Sequence, residues 1–493
     1  MKAIKGKAFF AGIHVKDGKA LACGQATEVM ADPQQVYISL SQSLGKPALL
    51  RVEKGQKVKE GQLIAEANGA ISSNVFASIS GEVVDIKDIA GANGANETYI
   101  VIKGDGSGDK VTLPVLKDPD AEAIKARIKE AGIVGLGGAG FPAAVKVAPR
   151  TPVDTLILNG AECEPYLTCD HRIMLENTEE IVRGARYIAK ALGVTKIIIG
   201  IEANKPDCIK KFEEYDGIQP VILKKQYPMG SEKHLIYVTT GRKVGIGKLP
   251  ADSGVVVQNV ASALAVCRAI EQGKPLYERV LTVSGKAVKS PKNLWVKVGT
   301  PVKEVVEYCG GEKVTPKKVV QGGPMTGVAL ASYDVYTHKT TSGILLLTED
   351  EAAAEEPTPC LSCGKCAHVC PMHLMPMQTE FYANAGNYES AAKYGNTACC
   401  IECGACTFIC PAKRPLIQAI RKTKAYMRAK ATSAPTSTPL VKPADQKGRS
   451  APIVPLTEDG KRPPKDAAPA VTKSGETDKA PAQKSDKKEN GNG

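Results

Sequence analysis

Cys360-Leu-Ser-Cys363-Gly-Lys-Cys366-Ala-His-Val-Cys370-Pro371, repeated as Cys400-Ile-Glu-Cys403-Gly-Ala-Cys406-Thr-Phe-Ile-Cys410-Pro411, is the stretch the rest of the chain serves. Each half is spaced C-x2-C-x2-C-x3-C-P, and the spacing has a physical cause. Three cysteines at intervals of three wrap one face of an iron–sulfur cube and leave backbone N–H groups free to bond its sulfurs. The fourth, on the chain as it leaves, points away toward a second cube. Two structural zincs or a set of disulfides are the alternatives. Zinc knuckles want two well-separated cysteine pairs rather than a tight triplet. Thiols this dense rarely pair as disulfides without a secretory signal. The run therefore predicts two iron–sulfur clusters, and a chain that holds two clusters moves single electrons.

The spacing resembles that of bacterial two-cluster ferredoxins, which implies a crossed ligand set. Cys360, Cys363, Cys366 and Cys410 would hold one [4Fe-4S] cluster, and Cys400, Cys403, Cys406 and Cys370 the other. Outward from this run, 493 residues suggest about three domains, and an apolar content of 43% is ample for buried cores. No apolar run approaches the roughly 18 residues of a membrane-spanning helix. Met1 to Val15 carries Lys2, Lys5 and Lys7 but no apolar segment, which argues against a signal peptide. Fifteen cysteines fit a reducing compartment. Those outside the run (Cys23, Cys163, Cys169, Cys208, Cys267, Cys309 and Cys399) read mostly as core thiols. A formal charge of +13 is compatible with acidic protein partners, an anionic membrane surface or nucleic acid. No nucleic-acid recognition motif accompanies it, so no nucleic-acid partner is expected.

From about residue 35 to 103 the chain reads as short strands and tight turns. Val52-Glu-Lys-Gly55-Gln-Lys-Val58-Lys-Glu-Gly61-Gln-Leu-Ile64 is answered by Ala77-Ser-Ile79-Ser-Gly81-Glu-Val83-Val84. This resembles the barrel-sandwich hairpins of lipoyl and biotinyl carriers. Those present a modifiable lysine at a hairpin tip, and no lysine lies between Gln62 and Ser80. A docking or structural role is expected instead. Residues 120–131 have helical period. They run into Gly132-Ile-Val-Gly135-Leu-Gly137-Gly138-Ala-Gly140-Phe141-Pro142-Ala-Ala-Val-Lys146. Gly135, Gly137 and Gly140 satisfy G-x-G-x-x-G, but a helix precedes them where a dinucleotide fingerprint needs a strand. The segment reads better as a loop whose backbone amides approach phosphate or a flavin ring. The next 120 or so residues alternate buried strands (Thr155-Leu-Ile-Leu158, Lys196-Ile-Ile-Ile-Gly200, Gly254-Val-Val-Val-Gln258) with helices such as 178–192. That predicts a mostly parallel sheet with its ligand at the strand C-termini. Residues 278–348 turn β again, with a short helix over 301–309. The cysteine run follows an acidic, alanine-rich linker. The segment between its halves, Leu374 to Thr397, is helical in character, so an all-helical module is expected. Pro415 to Lys430 is a basic amphipathic helix, able to meet an anionic membrane, an acidic partner or simply solvent. Residues 431–493 read as a disordered tail.

Gly135-Leu-Gly-Gly-Ala-Gly-Phe-Pro and Asn159-Gly-Ala-Glu-Cys-Glu-Pro resemble the flavin- and NADH-binding segments of the NADH-oxidising flavoprotein subunit of respiratory complex I. With Gly12-Ile-His14, the carrier-like domain and the cysteine run, the whole order resembles the C subunit of Rnf-type electron transport complexes. The resemblance implies a barrel-sandwich hybrid over 1–110 and a Rossmann-like α/β domain for flavin and NADH over 111–275. It further implies a β-grasp, SLBB-like domain over 276–350, an α-helical two-[4Fe-4S] ferredoxin domain over 351–430 and a tail over 431–493. Gly135, Gly137, Gly138 and Gly140 would line a non-covalent FMN. Lys146, Asn159, Asn259 and Ser262 would hold its ring edge, ribityl chain or phosphate. Phe141 would stack on the nicotinamide or adenine, with Glu162, Glu164 and Glu232 near the dinucleotide and Tyr227 and Gly230 at the flavin-proximal turn. The chain departs from the complex I pattern at Leu136, Ala161 and Ser231, where that pattern has arginine, an acid and glutamate. Without the resemblance, Phe141 reads equally as core and Glu232 as a solvated acid.

The parts imply one another chemically. NADH gives up two electrons as hydride, a cluster accepts one at a time, and a flavin converts between the two. The expected function is an NADH-handling FMN and iron–sulfur subunit of an ion-translocating ferredoxin:NAD oxidoreductase. It would sit peripherally on the cytoplasmic face of the bacterial inner membrane, with an iron–sulfur subunit among its partners. A soluble flavin reductase, such as the cobalamin reductases of propanediol metabolism, and a non-enzymatic iron–sulfur relay are the competing readings.

Overall fold

A computed structural model of the chain describes residues 1–352 and 356–433. The disordered tail expected from 431 onward falls outside the described residues after 433. Four sheets and one helical module carry the architecture.

The central sheet is wholly parallel, in the spatial order Ile4–Lys5, Ile218–Leu223, Lys196–Glu202, Thr155–Gly160, Val255–Asn259. Its sequences are near-continuous apolar runs because helices cover both faces of a parallel sheet. Leu156, Ile157, Leu158, Ile199 and Val255 are fully buried. The helix Thr178–Leu192 shows the local logic. Ile181, Val182, Ala185 and Ile188 recur on one face and are sealed from solvent, and Gly193 ends the helix in the left-handed region at φ 68°. Each isoleucine buried on that face contributes about 1.5–3 kcal/mol. Truncating Ile188 to alanine would cost about 2–5 kcal/mol.

The first thirty residues are shared out. Ile4–Lys5 is an edge of the parallel sheet, and Glu28–Val29 pairs with Leu294 and Trp295 in a six-stranded mixed sheet. That sheet also holds Glu278–Ser284, Lys292–Lys297, Lys318–Gln321 and Gly343–Leu347, with the helix Val302–Tyr308 packed on it, the expected β-grasp form. The barrel-sandwich follows them in the chain. Gln35–Ser39 and Asn96–Gly104 belong to one of its sheets, and Leu63–Glu66 and Val75–Phe76 to the other. Val36, Ile38, Ile64 and Ile100 fill the space between them. The cysteine module is helical as expected, its main helices being Pro376–Asn384, Tyr388–Gly395 and Leu416–Ser433. No described helix is long and apolar enough to cross a membrane.

Candidate redox site

The parallel sheet fixes where a ligand can lie. From Thr155–Gly160 the chain moves outward to the strands at 196 and 218, then returns to lay Val255–Asn259 on the opposite side of Thr155–Gly160. The crevice of such a sheet opens at the carboxyl ends of the strands where the order reverses. Asn159 and Asn259 stand there directly opposite one another in register.

The glycine-rich segment folds over that crevice as a tight hairpin rather than as a Rossmann turn. Gly135 N–H donates to the Phe141 carbonyl (2.9 Å), and Val134 bridges Pro142. Ser262 ties the hairpin to the next helix: its hydroxyl donates to the Val134 carbonyl (2.9 Å) and accepts from Leu136 N–H (3.0 Å). Beyond this staple, the N–H groups from Gly137 to Phe141 donate to no group among the described residues. Gly140 has φ 69°, and a side chain there would also run into Thr340, while Gly138 faces open space. A methyl on Gly137 would lie 2.7 Å from Asn259 Nδ2. Consecutive unpaired amides on a loop where Gly137 and Gly140 leave no room for a side chain form an anion-binding nest beside a space suited to a flat ring. That arrangement fits FMN.

Several of the expected residues meet here. Asn159 donates to the Gly230 carbonyl (2.9 Å), which joins the strand end to the turn carrying Tyr227. Lys146 donates to Glu232 Oε1 (2.7 Å) and to the Val257 carbonyl (3.1 Å). Phe141 is half-buried. Glu162 and Glu164 turn away from the hairpin. Glu162 is buried, accepting from Asp170 N–H (2.6 Å) with its other oxygen 3.6 Å from Lys19 Nζ. Glu164 is received by the β-grasp domain, accepting from Met325 N–H (3.1 Å) and the Thr326 hydroxyl (2.5 Å). Burial pushes the Glu164 carboxyl above its ordinary value against those hydrogen bonds.

Sequence reasoning missed the groups beneath these residues. Asp170 accepts from Asn259 Nδ2 (2.8 Å) and so aims the amide that the hairpin packs on. Burial, with Glu162 adding like charge, raises Asp170 to about 6. Lys19 donates to the carbonyls of Glu162 (2.9 Å), Glu164 (3.0 Å) and Leu167, pinning the acidic turn from far away in sequence. Lys205, fully buried, donates to the Ala161 carbonyl (2.7 Å). Its neighbour Glu202, 3.8 Å away, is raised to about 7 by burial while Lys205 is lowered, so both shift toward the neutral pair. Arg279 donates to the carbonyls of Leu136 (3.3 Å) and Lys339 (2.7 Å) under the hairpin. None of these carries a local motif. A half-open pocket elsewhere, bordered by Arg268 and Trp295, reaches the hairpin only at Leu136.

The two cysteine runs fold alike. Left-handed residues recur in step, Ser362 and Glu402, Gly364 and Gly404, His373 and Lys413. Each turn aims an amide at sulfur: Ser362 N–H lies 3.5 Å from Cys360 Sγ and Glu402 N–H 3.3 Å from Cys400 Sγ. Cys370 crosses over to join Cys400, Cys403 and Cys406 around one recess. Burial raises the Cys403 thiol to about 11 and the Cys406 thiol to about 12, with Cys400 and Cys370 adding like charge to both. Cys366 is raised by burial too, with Cys410 and Cys360 as its like-charged neighbours. Thiolates gathered this closely call for a positive core, and the donor set suits an iron–sulfur cube.

The cysteine module meets the crevice through the turn at 227–234. The Tyr227 hydroxyl donates to the Cys403 carbonyl (2.7 Å), His234 Nε2–H to the Pro371 carbonyl (3.0 Å), and Gly12 N–H to the Val369 carbonyl (2.9 Å). Ile13, Tyr227, Val369 and Ala405 close a small apolar seam there, flanked by Cys163, Met325 and Cys403.

Comparison with known proteins agrees with this layout domain by domain. Residues 7–107 match the RnfC barrel sandwich hybrid domain and 128–268 the Nuo51 FMN-binding domain. Residues 280–329 match the SLBB domain and 352–411 the 4Fe-4S dicluster domain. The class is therefore a flavin-binding, iron–sulfur electron-transfer protein. More narrowly, the chain belongs to the family of C subunits of ion-translocating oxidoreductase complexes. It is 45% identical over 432 residues to the C subunit of the proton-translocating ferredoxin:NAD(+) oxidoreductase complex of Clostridium ljungdahlii, across 86% of this chain and 94% of that one. It is 42% identical over 431 residues to the C subunit of the Na(+)-translocating ferredoxin:NAD(+) oxidoreductase complex of Acetobacterium woodii, across 85% and 97%. It is also 42% identical over 397 residues to the C subunit of the ion-translocating oxidoreductase complex of Rhodobacter capsulatus, across 78% and 76%.

Proposed function

We propose that this chain is the NADH-handling FMN and iron–sulfur subunit of a membrane-bound, ion-translocating ferredoxin:NAD oxidoreductase, docked peripherally on the cytoplasmic face of the cell membrane. One observation carries the reading. The turn that receives Asn159 at Gly230 also sends the Tyr227 hydroxyl to the Cys403 carbonyl, so the flavin crevice and the cysteine module are hydrogen-bonded through a single loop. When bound, the flavin takes hydride as an electron pair and releases electrons singly, which is the conversion nicotinamide and clusters require.

The chain's own part is to bind and orient. The amides of Gly137, Gly138 and Gly140 would receive the FMN, with Asn259 held in place by Asp170. Lys146, Asn159 and Ser262 would hold the walls around it, with Gly135 and Gly230 alongside, and Phe141 would cover the nicotinamide or adenine. Glu232 and the Glu162–Glu164 turn would face or support the dinucleotide. Cys360, Cys363, Cys366 and Cys410 would hold one [4Fe-4S] cluster and Cys370, Cys400, Cys403 and Cys406 the other. No acid–base residue is needed, since placement of the hydride donor against the ring is the catalytic task.

The test is an anaerobic preparation of the full chain. Two [4Fe-4S] clusters, one acid-extractable FMN and NADH oxidation with ferricyanide are expected, together with co-purification with membrane subunits. Brown protein without flavin or NADH oxidation would refute the reading. Glu164→Ala should raise the KM for NADH while leaving cluster absorbance intact, and unchanged kinetics at limiting NADH would remove Glu164 from the site.

A further inference from the structure

The two cysteine sets are alike in sequence and unlike in surroundings. Every hydrogen bond that ties the module to the turn at 227–234 or to Gly12 ends on the backbone of residues 369–371 or 403, in or beside the Cys370, Cys400, Cys403 and Cys406 set. Ala405, in the loop of that set, is fully buried in the seam with Tyr227 and Ile13, and Gly404 packs so closely on the Met325 carbonyl that no side chain fits. The first run is turned outward. Cys360 and Cys363 are exposed, Leu361 between them is 64% exposed, and the place of Ala405 is taken by the exposed Lys365. Among the described residues, 360–366 make no hydrogen bond outside the module, and Lys365 makes no ion pair.

We propose that electrons pass between the flavin domain and the cysteine module only through the Cys370/Cys400/Cys403/Cys406 cluster, and that the Cys360/Cys363/Cys366/Cys410 cluster is the outlet to an acidic one-electron carrier protein docking over Leu361 and Lys365. The order rests on the flavin and two-cluster reading above. An exposed cluster edge serves exchange with another protein, and an unpaired cation beside an exposed leucine suits an acidic rim around an apolar contact. A cluster edge sealed in an apolar seam serves exchange within the chain. Each NADH oxidised to NAD⁺ releases one proton and two electrons. The electrons cross one at a time, and two carriers are reduced per nicotinamide.

The order is tested on the full, reconstituted chain with Cys403→Ser and Cys363→Ser, each keeping one cluster. On rapid mixing with NADH, the cluster remaining in Cys363→Ser should bleach at least 100-fold faster than that remaining in Cys403→Ser. Equal rates, or the reverse ratio, would overturn the order. If wild-type chain takes no electrons from NADH, the function above has failed, yet the order is still read in dithionite-reduced protein. A soluble dysprosium chelate should then broaden the EPR signal left in Cys403→Ser more than that left in Cys363→Ser, and equal or opposite broadening would overturn it. Should a serine variant lose both clusters, Leu361→Glu decides the outlet. Reduction of an acidic bacterial ferredoxin, relative to bleaching of the chain's own clusters, should fall at least tenfold at low salt. An unchanged ratio would overturn the assignment.

Discussion

The eight cysteines of the two C-x2-C-x2-C-x3-C runs reach their partners by turns that lie within or next to the runs themselves. The polar groups about Gly137 are drawn from Asn159, Asp170, Asn259 and Ser262, with Lys19 pinning the neighbouring acidic turn, residues that meet only after a parallel sheet has formed. Ligand sets written in two short runs of one module depend little on where distant parts of the chain fold. A crevice assembled over such sequence distances inherits every error made elsewhere in the domain. The two sites should therefore fail differently under substitution.

Cys406→Ala gives the largest and most local effect. It removes one ligand from the recess shared with Cys370, Cys400 and Cys403, so about half the iron should be lost while FMN stoichiometry stays at one. Loss of flavin in the same variant would break the contrast. Gly137→Ala is the counterpart in the crevice. The added methyl would stand 2.7 Å from Asn259 Nδ2, and overpacking of this kind costs about 1–3 kcal/mol. FMN affinity should fall roughly 5- to 150-fold, read by flavin fluorescence, with iron content unchanged.

Legibility follows the same line. The cysteine repeat could be read because its spacing is local, and the recess that Cys370 shares with Cys400, Cys403 and Cys406 is compatible with the crossing that the ferredoxin resemblance implies. The parallel sheet could be read because its strands are apolar on both faces. The glycine-rich segment could be recognised as no Rossmann turn because a helix precedes it. Its support could not be read. Asp170 sits in the helix Cys169–Glu176, Lys19 in an N-terminal turn, and Arg279 in a β-grasp strand, each with no local mark of its role. Likewise Glu164 lies in a motif that suggested the dinucleotide, but only the fold reveals that Met325 and Thr326 take both its oxygens. The sharing of residues 4–5 and 28–29 among other sheets is invisible for the same reason, because two-residue edge strands carry no periodicity.

The gentlest probe of the assembled site is the charge of Asp170. Its folded pKa of about 6 lies above the ordinary carboxylate value of 3.8, chiefly through burial and then through Glu162. A carboxyl raised in this way contributes stability that is fully present below pH 3.8 and is lost as pH climbs through 6. The difference of about two units corresponds to on the order of 3 kcal/mol at most, with Asn259, Arg279 and Lys205 already acting to offset it. Asp170→Asn keeps an oxygen for Asn259 and has no charge to bury. Its Tm should therefore rise relative to wild type between pH 5 and pH 7, by about 2–4 °C for each kcal/mol in a domain of this size. Glu202 titrates in the same window but is present in both proteins, so the difference isolates Asp170. A pH-independent gap between the two melting curves would mean that Asp170 carries no proton of its own in the folded chain, and that Asn259 is aimed by hydrogen bonding alone.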